Sequence, residues 1–491
     1  MSSPLRIVSV ASEVAPYSKT GGLADVAKGL PKALSNLGHD VSIITPWYSF
    51  MKTQGLQTEP VNILTSIVVG KKKFAIETRR VPIRHNFYVY FIVIPSLFSN
   101  RGRIYGYEDD NLRFLVFNLA ALKVIDLLGL KPHIIHSHDW QAGLIPNYLE
   151  LRRKQYPSLK NTRTVFTIHN LAFQAGVDWW KIDKKHQDDG KGIPNIVPSK
   201  LRAINFTKRA IRHADIINTV SVRYAQEILT PEFGQGLERI LQEREEHLYG
   251  IINGIDYTVY NPSFDQYIKH KYDWRSSDRK IKNKLLLQKE MGLEQKRDIP
   301  MIGVVNRFTE QKGFALIMET IDILLRQPLQ IVVVGSGRKD YIQFFRHAAR
   351  KHPKKIALIT PFTEEMASKV YAGSDLFLMP SRYEPCGISQ LISMRYGSIP
   401  IVHETGGLSD TITNYNPHTG KGTGFVFRAY NSGDFLIALG RALETFAHTK
   451  SWTHLVMQAM RESYSWELPA KKYLSLYRIA QKKKPTITPH S

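Results

Sequence analysis

Arg307 and Lys312 stand five residues apart, just after the apolar run 301–305 and just before Gly313. Two fixed cations at the end of a strand would neutralise a diphosphate and stabilise it as it leaves. Glu384 lies between Tyr383 and Pro385, in the segment that follows the apolar run 376–379. A carboxylate there could hold sugar hydroxyls or face a developing oxocarbenium ion. After 134–135 comes His136-Ser137-His138-Asp139-Trp140, and after 164–168 comes His169-Asn170. A hexapeptide of one pattern occurs twice, as Thr20-Gly21-Gly22-Leu23-Ala24-Asp25 and as Thr405-Gly406-Gly407-Leu408-Ser409-Asp410. Glycine pairs that open helices let a ligand approach the backbone and leave free N–H groups for an anion. Each residue also has a plainer role. Asp139 can cap the following helix, His169 alone reads as a satisfied core histidine, and Glu384 alone reads as an N-cap or surface acid. Cys386, the sole cysteine, reads as a small packed residue rather than a nucleophile.

The elements that must position these groups are short β-branched runs alternating with longer amphipathic segments. Residues 5–10, 41–45, 89–94, 134–136, 164–168 and 216–219 read as strands of one parallel sheet. A lysine-rich stretch, 269–296, precedes a second series at 301–305, 330–334, 356–360, 376–379 and 400–402. Near-continuous apolar strands alternating with helices mean parallel sheets covered on both faces. Ligands of such sheets sit outside the carboxyl ends of the strands, where the polar residues above fall. The expected fold class is α/β, with two doubly wound, Rossmann-like domains facing a deep cleft. The last segment, 466–481, places Leu468, Tyr473, Leu476 and Tyr477 at helical spacing and is expected to return to the first domain, followed by a disordered basic tail.

With 491 residues, 43% hydrophobic and 22% charged, the chain is long enough for two cored domains. One cysteine excludes an internal disulfide and a thiolate metal site. The amino terminus lacks signal-peptide character, and the longest strongly apolar stretch, 87–95, is too short to span a bilayer, so a cytoplasmic enzyme is expected. The net charge of +24 comes from short scattered clusters such as 71–73, 152–154 and 208–209. None is interleaved with aromatics as a base-stacking groove would be, so no nucleic-acid partner is expected.

Taken together, these segments resemble the bacterial glycogen synthases and plant starch synthases. The resemblance starts at Lys19-Thr20-Gly21-Gly22-Leu23-Ala24-Asp25-Val26. It runs through His138-Asp139-Trp140, Thr167-Ile168-His169-Asn170, Thr230-Pro231-Glu232-Phe233-Gly234 and Asn253-Gly254-Ile255-Asp256. It continues through Arg307 and Gln311-Lys312-Gly313, the stretch Pro380-Ser381-Arg382-Tyr383-Glu384-Pro385-Cys386-Gly387, and Thr405-Gly406-Gly407-Leu408. It implies a retaining glycosyltransferase of the GT-B type that moves glucose from ADP-glucose to the non-reducing end of an α-1,4-glucan such as glycogen. It further implies an acceptor-side domain over 1–260, a nucleotide-sugar domain over 261–465, and a returning helix with tail over 466–491. Cofactor and metal would both be absent. The implied catalytic set is Glu384, His169, Asp139, Arg307 and Lys312. The implied substrate-binding set is Lys19, Gly21, Gly22, Asp25, Asn253, Phe362, Cys386, Gly387, Thr405, Gly406 and Gly407. By similarity Lys19, Arg307 and Lys312 contact the phosphates, Glu384 and the Gly406–Gly407 backbone hold the donor glucose, and His169 lies beside the anomeric centre. Phe362 stands where relatives often carry a tyrosine that stacks on adenine.

Three positions depart from the pattern. Gln141 replaces a histidine common after the Asp-Trp pair, Asn100 replaces an aspartate common before Arg-Gly, and Ile392 stands where the wider retaining family carries a second glutamate. The last favours the glycogen and starch synthase branch. Three alternatives remain: the same reaction with UDP-glucose, a pyridoxal-dependent glucan phosphorylase, and a silent basic glucan-binding protein. No segment resembles a pyridoxal site, and a silent relative tends to lose Lys19, Lys312 or Glu384, all present here. A dinucleotide oxidoreductase is disfavoured because Gly335-Ser336-Gly337 is only a partial fingerprint.

Overall fold

In the computed structural model, which describes residues 3–176 and 182–483, the chain divides into two compact units. The first comprises residues up to Gly254 together with the segment from Trp466 onward; the second is Ile255–Ser465. The basic tail over 484–491 lies outside the described residues.

The first unit is built on a nine-stranded sheet. Its strands are β1 (Arg6–Val10), β2 (Asp40–Pro46), β3 (Glu59–Val69), β4 (Lys72–Arg84), β5 (Phe87–Val93), β6 (Ile134–His138), β7 (Arg163–Ile168), β8 (Ile216–Thr219) and β9 (Leu248–Gly250). The order is β3-β4-β5-β2-β1-β6-β7-β8-β9. This corrects the expectation of a purely parallel sheet: β3 and β4 pair antiparallel, as do β4 and β5, and only from β5 onward is pairing parallel. The physical reason is the short connection at Gly70, whose φ of +58° permits a tight reversal. The basic cluster at 71–73 spans the end of that turn and the start of the returning strand.

The second unit carries β10 (Met301–Val305), β11 (Gln330–Val334), β12 (Ile356–Ile359), β13 (Leu376–Met379), β14 (Ile399–His403) and β15 (Phe425–Phe427). All neighbours are parallel, in the order β12-β11-β10-β13-β14-β15. Counted from the unit's first strand, that is 3-2-1-4-5-6, the doubly wound order with its switch point between β10 and β13. The first unit has the same reversal between β1 and β6, which are neighbours with later strands on one side and earlier ones on the other. Each sheet has a core of its own, dominated by Ile, Val, Leu and Phe.

Two local boundaries differ from the sequence reading. Residues 255–260, assigned there to the first domain, belong to the second unit, where Ile255 is buried and its N–H donates to Tyr464 O at 2.8 Å. The final helix, Glu467–Lys482, buries Tyr473, Leu476 and Tyr477 on the first unit, but Leu468 is 59% exposed. Leu468 falls on the solvent side because Trp466, Ala470, Tyr473 and Tyr477 define the packed stripe. Burying each such aromatic contributes on the order of 2 kcal/mol. Trp466 packs where Gly29 has no side chain: a Cβ there would collide with the indole. No helix among the described residues is long and apolar enough to cross a membrane.

Candidate active site

In the second unit, the loops after β10 and β13 meet because those strands are neighbours across the switch point. The two loops are latched by backbone: Arg382 N–H donates to Gln311 O at 2.9 Å. Gly313 makes the approach possible, since its φ is +72° and Pro380 O occupies the space a Cβ would need. The latch sets Lys312 Nζ 2.5 Å from Glu384 Oε2, with side-chain exposures of 12% and 6%. Ser381 Oγ donates to the same Oε2 at 3.1 Å. Arg307 is exposed, and its guanidinium has no ion-pair partner among the described residues. The result is one largely buried, neutralised cation and one open cation within a single strand-to-helix loop.

Behind Glu384 sits the second glycine pair. Gly406 has a φ of +43°, and the place of its Cβ is taken by Glu384 O; that of Gly407 is taken by Cys386 O. The N–H of Gly407 donates to Glu384 O at 3.0 Å. This revises the expectation of free N–H groups facing a ligand: the amide of Gly407 is spent on holding the Glu384 segment. The first pair differs, since Gly21 is extended (φ −159°) and nothing lies within 4 Å of its Cβ position. The space beside the backbone at Gly21 is therefore open, unlike that at Gly406 and Gly407. Thr405 is buried, and its Oγ1 has no hydrogen-bond partner. Cys386 is buried and forms no disulfide among the described residues, in keeping with a packing role, and Gly387 (φ +74°) leaves room for the Gln390 side chain.

Phe362 follows β12 and is 44% exposed; its N–H donates to Ser336 Oγ at 2.9 Å. The adjoining Gly335-Ser336-Gly337 turn is glycine-rich because it packs against backbone of Asn306 and Phe308, the segment that carries Arg307. Phe308 N–H donates to Ser336 O at 2.8 Å. An exposed ring and an exposed arginine are therefore mounted on touching loops of one unit.

In the first unit, the switch point gathers Glu13, after β1, and Asp139, after β6. Glu13 is buried and accepts from Thr20 N–H at 2.5 Å and Thr20 Oγ1 at 2.9 Å, which anchors the first glycine turn. Lys19 and Asp25 form a half-exposed ion pair at 2.9 Å. Asp139 has a left-handed backbone (φ +53°) and accepts from His169 N–H at 2.7 Å. Burial pushes its carboxyl up to about 7, against the opposing pull of the His169 and Asn170 amides. The charge of Glu13 adds to the rise.

His169 is one end of a histidine chain. Its Nε2 lies 3.0 Å from His138 Nδ1, and His138 Nε2 lies 3.1 Å from Ser9 Oγ. His136 stacks beside His138 with ring centroids 4.1 Å apart and bonds Thr167 Oγ1 at 2.6 Å and Tyr477 OH at 2.9 Å. Burial lowers His169 and His136 to about 3 each, and His138 well below its ordinary value. All three rings are neutral at neutral pH, so His169 serves as a hydrogen-bonding group, not as a proton donor of imidazolium type. Asn253 is buried, and its Oδ1 has no partner.

Three participants had no role assigned by the sequence reading: His138 and Ser381, named only as members of their segments, and Glu13. His138 carried a signal, because it is two residues from His136 and so shares a strand face with it. Glu13 and Ser381 carried none, since their partners are set by loop geometry.

Known families match on both units. The model described as starch synthase catalytic domain matches residues 6–243, and that described as glycosyl transferases group 1 matches residues 289–452. A glycogen synthase of Desulforudis audaxviator is 41% identical, covering 98% of this chain and 97% of its own. One of Pseudothermotoga lettingae is 40% identical, covering 98% and 100%. Among solved structures, the catalytic domain of starch synthase IV from Arabidopsis thaliana, bound to ADP and acarbose, superposes with a TM-score of 0.87 at 33% identity, covering 98% of this chain and 100% of that one.

Proposed function

This chain belongs to the glycogen synthase and starch synthase family of glycosyltransferases, and from that premise we propose that it transfers glucose from ADP-glucose to the non-reducing end of an α-1,4-glucan with retention at the anomeric carbon. The observation that carries this reading is the part-buried Lys312–Glu384 pair at the switch point of the second sheet. ADP bound to the starch synthase relative supports the donor base, and acarbose bound there supports a glucan acceptor.

Bond cleavage loads negative charge onto the departing diphosphate. Lys312 meets that charge with an ammonium already fixed by Glu384, so little reorganisation is needed as the charge grows. Arg307 supplies a second, exposed cation. Glu384 has Oε2 committed to Lys312 and Ser381. Oε1 is left to accept a glucose hydroxyl and to oppose positive charge on the ring. Phe362 offers its exposed face to the base, and Thr405 a buried hydroxyl to the donor. In the first unit, Lys19 and the Gly21–Gly22 turn are assigned to phosphate contact, and Asp25 holds the Lys19 ammonium on the substrate side of that turn. His169, held neutral, hydrogen-bonds a sugar hydroxyl near the anomeric centre. Asp139 fixes the His169 backbone, and Asn253 completes the substrate surroundings.

A donor panel tests the reading. The full chain is incubated with glycogen and ADP-, UDP- or GDP-glucose, and released nucleotide is measured. The reading expects glycogen-dependent release that is at least about tenfold more efficient, in kcat/KM, with ADP-glucose; equal or better use of UDP-glucose would overturn the donor assignment.

A further inference from the structure

At the far end of the first sheet from His169 lies a cavity of about 440 Å³. Thr164, in its wall, is the second residue of β7, whereas His169 follows that strand's last residue. Five residue steps along the strand separate the two, about 16 Å. The cavity is thus distinct from the catalytic groups and is formed wholly within the first unit.

Its charge is unbalanced. Arg153, Arg212, Arg244 and Lys483 line it, against Glu150 and Asp215. Both carboxylates are already engaged. Asp215 Oδ2 accepts from Thr164 N–H at 2.7 Å and Thr164 Oγ1 at 3.0 Å, and Glu150 Oε2 lies 2.5 Å from His213 Nδ1. Arg244 and Lys483 are both held on the turn 211–215, whereas Arg153 donates to Leu159 O and Thr162 O. Arg244 donates to Ile211 O at 3.1 Å and Ala214 O at 2.6 Å, and Lys483 Nζ to Asp215 O at 2.7 Å. Those bonds cap the helix Phe206–His213 and explain why Arg244 is there, but they leave donors over. Arg212 Nε and Arg244 Nε are buried with no acceptor. Burial depresses Arg244, Arg153 and Lys483 alike, with the charge of Arg244 the next cause at Lys483, which falls to about 8. Cations crowded in a poorly solvated place, with unused N–H groups, are what an anion relieves.

We infer that this cavity binds a small phosphorylated anion, its phosphate taken by Arg212, Arg244 and Lys483. Guanidinium forks match phosphate oxygens in pairs, and the cavity has room for more than the phosphate alone.

The test is calorimetric titration of the full chain without added ADP, since excess ADP, itself a phosphorylated anion, would compete for the cavity; the cavity variants below separate this binding from that at the donor phosphate site. Inorganic phosphate, glucose 6-phosphate and AMP are the three probes, with sodium chloride at matched ionic strength as the control. We expect saturable one-to-one binding of at least one probe and none of chloride. Inorganic phosphate binding as tightly as the others would identify the free ion as the source; tighter binding of glucose 6-phosphate or AMP would identify an organic phosphate. Arg212→Gln and Lys483→Gln leave the Arg244 cap in place and should each weaken the binding at least tenfold while the unliganded glucosyl-transfer rate is unchanged. Absence of saturable binding in every arm, or equal affinity in wild type and both variants, would overturn the inference. Should one variant fold poorly, the other decides by the same reading.

Discussion

Lys312 Nζ and Glu384 Oε2 are 2.5 Å apart although 72 residues separate them in the chain. The pair exists because the first and fourth strands of a doubly wound sheet are neighbours, and because Gly313 admits Pro380 O where any side chain would exclude it. Removing either partner therefore affects both catalysis and folding, and the two effects can be measured apart.

Lys312→Ala is expected to lower kcat by roughly 10²-fold or more, since the ammonium opposes charge that appears only as the diphosphate leaves. It also strands a buried carboxylate, at a cost of about 3 kcal/mol in stability. Steady-state kinetics and urea unfolding check the two. An unchanged kcat with a raised donor KM would make Lys312 a ground-state binder.

Glu384→Gln should keep the fold, because the amide oxygen can still accept from Ser381, and should weaken turnover strongly because the amide cannot oppose positive charge at the sugar. In the Lys312→Ala background the same change should recover stability relative to the single lysine variant. A double-mutant cycle in urea reads this directly; strictly additive losses would show that the two groups are not coupled.

Sequence patterning made part of this arrangement legible and hid the rest for definite reasons. Strand-end grammar located Arg307, Lys312, Glu384, Asp139 and His169, because buried parallel strands are apolar to their last residue and polar immediately after. Pairing of Lys312 with Glu384 was not legible, since it depends on strand order and a loop latch. The β3–β4 hairpin was missed because its faces are mixed: Leu64 and Val68 are 87% and 58% exposed on a strand that should alternate cleanly. The repeated glycine pair misled, because one motif serves two ends. Gly21 is open, while Gly406 and Gly407 are filled by neighbouring backbone.

That difference is itself testable. Gly406→Ala and Gly407→Ala should each destabilise the chain by about 1–3 kcal/mol through overpacking, with a further penalty at Gly406 for its positive φ. Gly21→Ala should leave the melting temperature nearly unchanged and raise the donor KM. Equal thermal shifts at Gly21 and Gly407 would refute the distinction.

The pH dependence of stability should single out Asp139. Its folded value of about 7 exceeds the unfolded value near 4, so the folded state holds the extra proton between them. The stability this proton confers is complete below about 4 and is lost as pH rises through 7. His136 and His169, lowered to about 3, act in the opposite sense: their contribution is present above 6.5 and is lost as pH falls. Comparison with Asp139→Asn cancels the histidine contribution, and asparagine tolerates the same positive φ. From pH 5 to 7 the variant should gain on the wild type by up to about 1.4 kcal/mol per pH unit, then level off. Urea midpoints across pH 5–8 measure it; a constant offset would mean that Asp139 is charged throughout.

The most direct test of the central claim follows a single sugar. A maltooligosaccharide of defined length is incubated with the full chain and ADP-glucose, and the product is resolved by mass and by the proton NMR signal of its new anomeric centre. The account predicts an oligosaccharide one glucose longer, joined by an α-1,4 bond at the non-reducing end, with one ADP released per glucose added. ADP release with free glucose and no elongation, or a β-linked product, would contradict it.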